Sequence, residues 1–265
     1  MSLADIDFAQ RYRDHMRAAG GREKPPAAWD ARAEEMGQRV GQSRYVADFV
    51  GRMDLSGCES LLDVGCGTGA IALAVAPRLR QVYGLEYSQG MLEVLMRNAR
   101  SQGQDNVAPL RRAWEDDWSD VPVCDVVTAS RSTTVMDMAD ALGKLDAKAR
   151  RRVYLTSLVG GQFVDPEILS LIGRSPSPLP DYIYIVNLLY GMGRRPRIDY
   201  IDTGSRMAGS EDFDAFARKV ALAAGGLDDA GRARLKDWYA ADPERAQRGG
   251  APFCWAFISW ETGAG

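Results

Sequence analysis

The 265 residues carry 33 Lys and Arg against 36 Asp and Glu, a formal net charge of −3. That balance argues against a nucleic-acid groove dominating the surface and leaves a small molecule or a protein as the expected partner. With 46% hydrophobic and 26% charged residues, the composition is that of a soluble globular chain, long enough for one domain and an added segment.

Taken in order, residues 4–20 fit an amphipathic helix closed by Gly20-Gly21, and Lys24-Pro25-Pro26 makes an extended link. This opening is charged and has no apolar signal core. His15, the chain's only histidine, is a candidate base or substrate-positioning group. Ala28-Trp29-Asp30-Ala31-Arg32-Ala33 reads as a helix start. Val40–Met53 forms a helix with Val46, Phe49, Val50 and Met53 on one face.

Leu61, Leu62 and Val64 suit a buried parallel strand, and Gly65, Gly67 and Gly69 follow at alternate positions before an apolar-faced helix from Ile71. Strand, glycine turn and helix make half of a nucleotide-binding crossover, with the helix N–H groups aimed at the ligand. Gly65-x-Gly67-x-x-Ala70 also fits a dinucleotide turn. Asp63 tilts the choice: a carboxylate ending the strand would repel a pyrophosphate but could hold an amino-acid ammonium. Gln81–Glu86 is the second strand, and Glu86 stands where an acid takes ribose hydroxyls, its two oxygens able to accept both.

Helix 90–102 follows, then Val107–Trp114 as a strand that Pro109 makes short or places at an edge. Cys124–Ser130 is the fourth strand, helix 135–149 ends at Arg150-Arg151-Arg152, and Val153–Thr156 is the fifth. Arg131, after the fourth strand, lies at the carboxyl edge where substrate contacts gather. Beyond come a short helix around 168–172, Ser175-Pro-Ser-Pro-Leu-Pro180, helix 181–192, strand 196–202, helices near 211–223 and 228–241, and a last strand, Phe253–Trp260.

The octet Leu62-Asp-Val-Gly-Cys-Gly-Thr-Gly69 resembles the first motif of class I S-adenosylmethionine-dependent methyltransferases, and the resemblance is specific over residues 60–130. It implies an α/β fold: a doubly wound, mostly parallel seven-stranded sheet with helices on both faces and an antiparallel last strand inserted beside the sixth. Residues 1–55 become a helical segment covering the cofactor cleft, and 56–265 the Rossmann-like domain, with a cap-like insertion at about 160–192. S-adenosyl-L-methionine is the implied cofactor and an unidentified small molecule the acceptor.

Cofactor contacts then fall to Asp63, Gly65, Cys66, Gly67, Gly69 and Glu86. Tyr87 and Met91 follow from the Glu-x-Ser-x-x-Met-Leu continuation, although Met91 also suits the helix core. Trp114 or Glu115 takes the adenine contact, because Ala113 stands where the family commonly has an acid. Ser130 faces the transferring methyl. The Trp-Asp-x-Arg-Ala run brings Trp29 over the cleft and Arg32 to the methionine carboxylate. Competing readings are an NAD-dependent oxidoreductase and a non-catalytic module that keeps the cofactor.

No metal is expected, since no cluster of carboxylates or histidines offers ligands. Cys58, Cys66, Cys124 and Cys254 are scattered, which fits a reducing cytoplasm. The apolar run Tyr182–Met192 is too short to span a bilayer. Nothing in the sequence fixes an oligomeric state.

Overall fold

A seven-stranded sheet in the order β3-β2-β1-β4-β5-β7-β6 organises the chain. The computed structural model describes residues 5–21, 25–38, 43–205 and 207–263. The strands are β1 Ser60–Val64, β2 Gln81–Glu86, β3 Val107–Arg111, β4 Cys124–Ala129, β5 Ala149–Leu158, β6 Arg197–Thr203 and β7 Phe253–Glu261. The pairs β1/β2, β1/β4, β2/β3 and β4/β5 are parallel, and β7 enters between β5 and β6 as the antiparallel strand. β3, with Pro109 paired to Gly84, stands at one edge, where a residue lacking an N–H costs least.

Apolar residues on both faces account for β1 at the centre: Leu61, Leu62 and Val64 have no exposed surface. The order reverses between β1 and β4, and the carboxyl ends of strands at such a switch point frame a ligand crevice.

The helices are α1 Phe8–Ala18, α2 Pro26–Asp30, α3 Ala33–Gly37, α4 Arg44–Gly51, α5 Ala72–Val75, α6 Gln89–Ser101, α7 Met138–Lys148, α8 Pro166–Leu171, α9 Tyr182–Gly191, α10 Phe213–Ala224, α11 Asp229–Ala241 and α12 Pro243–Arg248. Ala4, Lys24 and Val40, which bound expected elements, lie outside the described residues. Pro77 turns the end of the helix after the glycine loop into a 3-10 turn, so α5 has a single α-helical turn. Arg150, Arg151 and Arg152 belong to the start of β5 rather than to the end of a helix, because α7 stops at Lys148.

The chain divides into two units. One holds residues 1–157, 183–201 and 256–265, and the other 158–182 and 202–255. Helix α9 therefore belongs with the sheet unit. The second unit has its own core of Ile168, Phe216, Val220, Leu235 and Trp238. Its Phe216 and Trp238 rings stack 5.8 Å apart, and the Trp238 indole donates to Glu167. Among the described residues no helix is long and apolar enough to cross a membrane.

Candidate active site

The loop after β1 is held from both sides. Gly65 and Cys66 donate their N–H groups to Leu85 O of β2, at 2.7 and 3.1 Å, and Gly69 donates to Cys66 O at 2.9 Å. Two glycines are needed for different reasons. A Cβ on Gly65, where φ is 65°, would collide with the Ser132 side chain, so glycine lets the loops after β1 and β4 touch. A Cβ on Gly67, where φ is 53°, would meet nothing within 4 Å. The backbone of Gly67 therefore stands open, which is what a ligand lying against the main chain requires.

Asp63 turns inward rather than toward that opening. Its Oδ1 accepts from Thr128 Oγ1 at 2.8 Å and its Oδ2 from Ala72 N at 3.1 Å. The pairing of β1 with β4 sets Asp63 beside Thr128, so the carboxylate ties the central strands to the start of α5. Burial pushes its pKa up to about 7, against the two hydrogen bonds, with the Glu86 charge adding to the rise. The carboxylate is thus directed at Thr128 and the start of α5.

Glu86 ends β2 and faces the open loop. Its Oε1 accepts from Tyr87 N at 2.9 Å and Ser88 N at 3.0 Å, and its Oε2 from Gly67 N at 3.1 Å. Burial raises its pKa despite these donors. Three donors use three of a carboxylate's roughly four acceptor positions. One acceptor position, on Oε2, is left.

Sequence reasoning passed over Asp30, which pins the amino-terminal helices to α6. Its Oδ1 accepts from Ser88 Oγ at 2.5 Å and Gly90 N at 2.9 Å, and these donors hold its carboxyl below the usual range. Ser88 in turn caps α6 by accepting from Met91 N. Beneath this pin Ala33, Met91 and Val94 form a small core with Trp29 and Met36. Met91 is thus a core residue of α6. Arg32 is exposed, its guanidinium 5.7 Å from the Trp29 ring centre.

Around the end of β4 the loops converge. Trp114, stacked on Trp118 at 5.4 Å, donates its indole N–H to Ser132 O. Ser132 Oγ donates to Val64 O at 2.7 Å. Glu115 is exposed, and Tyr87 is half-buried beside Glu86. Ser130 Oγ is hydrogen bonded to the buried Tyr45 hydroxyl at 2.9 Å, and Tyr45 to Thr156 Oγ1 at 2.7 Å.

Arg131 is the only non-glycine at positive φ among the described residues, at 56°. Its N–H donates to Thr156 Oγ1, and its guanidinium carbon lies 4.2 Å from the Tyr45 ring centre. Tyr45 escapes sequence reading because its spacing with Phe49 marks a core face of α4, and its partner Thr156 lies far along the chain. His15 lies on α1, with Nδ1 3.3 Å from the Tyr184 hydroxyl of α9. Its neighbour Tyr12 donates to Val135 O in the loop before α7.

A methyltransferase-domain family model matches residues 61–151, the span from the glycine loop into β5. An uncharacterized protein of Haemophilus influenzae is 36% identical over 269 residues, covering 99% of both chains. The chain belongs to the class I S-adenosylmethionine-dependent methyltransferases.

Two solved structures show the same fold as this methyltransferase. The YcgJ protein of Bacillus subtilis has a TM-score of 0.57 at 16% identity, over 83% of this chain and 99% of its own. Phosphoethanolamine N-methyltransferase 2 of Haemonchus contortus, in complex with phosphomonomethylethanolamine and S-adenosylhomocysteine, has a TM-score of 0.55 at 14% identity, over 98% of this chain and 61% of its own. The cofactor of the family is S-adenosylmethionine. The open Gly67 backbone and the spare acceptor position on Glu86 beside it suit a ribose-bearing ligand.

Proposed function

We propose that this methyltransferase carries a methyl group from S-adenosylmethionine to a small-molecule acceptor at the carboxyl edge of β1 and β4. The observation that carries the reading is the Gly65–Gly69 turn, open over Gly67 and faced by Glu86. In this reading the backbone of Gly65, Cys66, Gly67 and Gly69 lies along the cofactor, and Glu86 accepts one ribose hydroxyl. Asp63 acts from beneath, keeping β1, β4 and α5 in register. Tyr87, Trp114 and Glu115 flank the adenine, with Met91 supporting that wall from the core. Trp29 and Arg32 are brought near by the Asp30 pin, Arg32 for the methionine carboxylate.

When bound, the cofactor supplies a methyl already made electrophilic by its sulfonium. The work of the chain is then to align the acceptor and exclude water. Ser130 and Arg131 receive the acceptor. His15, next to Tyr184, takes a proton when the acceptor arrives protonated. A small acceptor is in keeping with the acid-leaning charge of the chain and with the phosphomonomethylethanolamine held in the Haemonchus contortus complex. A reducing cytoplasm fits Cys58, Cys66, Cys124 and Cys254, all of which are free.

The test uses methyl-labelled cofactor and a cell extract divided by ultrafiltration into small molecules and macromolecules. Label is expected in the small-molecule fraction. Label confined to protein or nucleic acid contradicts the reading.

A further inference from the structure

The loop after β4 keeps a non-glycine residue in the left-handed region, a conformation that costs stability and persists only where surrounding bonds impose it. At Arg131 those bonds can be named. Its N–H is committed to Thr156 Oγ1, Ser132 is tied to Val64 O, and Thr133 Oγ1 donates to Thr156 O at 2.9 Å. The result is a guanidinium laid over the buried Tyr45 ring, exposed at its outer side. Among the described residues Arg131 forms no ion pair.

The hydroxyls below it form a chain. Arg131 N–H donates to Thr156 Oγ1, and Thr156 Oγ1 is hydrogen bonded to the Tyr45 hydroxyl, which in turn is bonded to Ser130 Oγ, either hydroxyl of each pair being able to donate. Thr156 and Tyr45 are buried, whereas Ser130 is half-buried and Arg131 exposed. The two ends of the network that reach outward are a hydroxyl able to donate, Ser130, and a full cation, Arg131. Such a pair suits a negatively charged oxygen group.

We infer that the acceptor of this methyltransferase carries an oxyanion, a carboxylate or a phosphate, held by Arg131 and Ser130 over the Tyr45 ring. The inference rests on the proposed role of this edge as the acceptor site. It adds the substrate class: acceptors without an anionic group are poor substrates, and the αL backbone is retained because it aims the guanidinium.

The experiment titrates inorganic phosphate and acetate separately into protein saturated with S-adenosylhomocysteine, followed by calorimetry and by shifts of the Arg131 side-chain NMR signals. Wild type is expected to bind at least one of the two anions, and Arg131→Gln to bind it at least tenfold more weakly with S-adenosylhomocysteine affinity within twofold of wild type. Preference for one anion names the group. Arg131→Gly separates lost contact from lost fold, because glycine accepts the positive φ: it should melt at or above the wild-type temperature and still lose the anion.

Wild type that binds neither anion, or Arg131→Gln that binds as wild type does, overturns the inference. If S-adenosylhomocysteine itself fails to bind folded wild type, the cofactor reading fails instead, so the two failures are told apart.

Discussion

Replacing Asp63 with Asn tests whether a buried carboxylate, rather than a ligand-facing one, underlies the glycine loop. The amide of Asp63→Asn keeps the shape and both partners, with Oδ1 accepting from Ala72 N–H and Nδ2 donating to Thr128 Oγ1, the two groups bound in the wild type. What the substitution removes is the titration. The folded pKa stands at about 7 against a reference of 3.8, raised chiefly by burial.

A folded pKa above the unfolded one means that the folded state holds the proton more tightly. The associated stability is complete below the unfolded pKa and is lost as pH rises through the folded one. Between pH 5 and pH 8 this amounts to about 2.5 kcal/mol for a single group. Urea unfolding of both proteins at the two pH values measures it. Wild type should lose about 2.5 kcal/mol more than Asp63→Asn on going from pH 5 to pH 8. Glu86, also raised by burial, is present in both proteins and largely cancels from the comparison. Equal losses in the two proteins would refute the buried, raised carboxylate.

Glu86→Gln presents one acceptor oxygen to three backbone donors. It should cost about 1–3 kcal/mol of stability and weaken S-adenosylhomocysteine at least tenfold; calorimetry at unchanged affinity would remove Glu86 from the ribose site. Gly67→Ala puts a methyl into the open space over the loop at a φ of 53°, so a loss of about 1 kcal/mol in unfolding free energy should accompany a much larger loss of cofactor binding. Asp30→Ala releases the pin on α6; hydrogen exchange at Gly90 and Met91 should quicken while the sheet amides keep their protection.

The centre of the fold is legible in the sequence because it is local. Three branched apolar residues, three spaced glycines and an acid about twenty positions on specify β1, the turn and β2 within one short stretch, and Pro109 marks β3 as an edge. Side-chain direction is not local. On a strand buried on both faces nothing distinguishes inward from outward, and Asp63 turns to Thr128 because of a register set between β1 and β4. Tyr45, Ser130 and Thr156 meet only after α4, β4 and β5 are assembled, so their network has no signature in spacing. Between 204 and 252 turns and helices alternate without a motif, and the helix α12 is too short to show a period.

The central claim is that the Gly65–Gly69 turn and Glu86 hold the methyl donor. Calorimetric titration of the folded wild-type chain with S-adenosylhomocysteine tests it most directly. One site per chain with a micromolar dissociation constant is the expected result, and no heat from protein shown to be folded would contradict it.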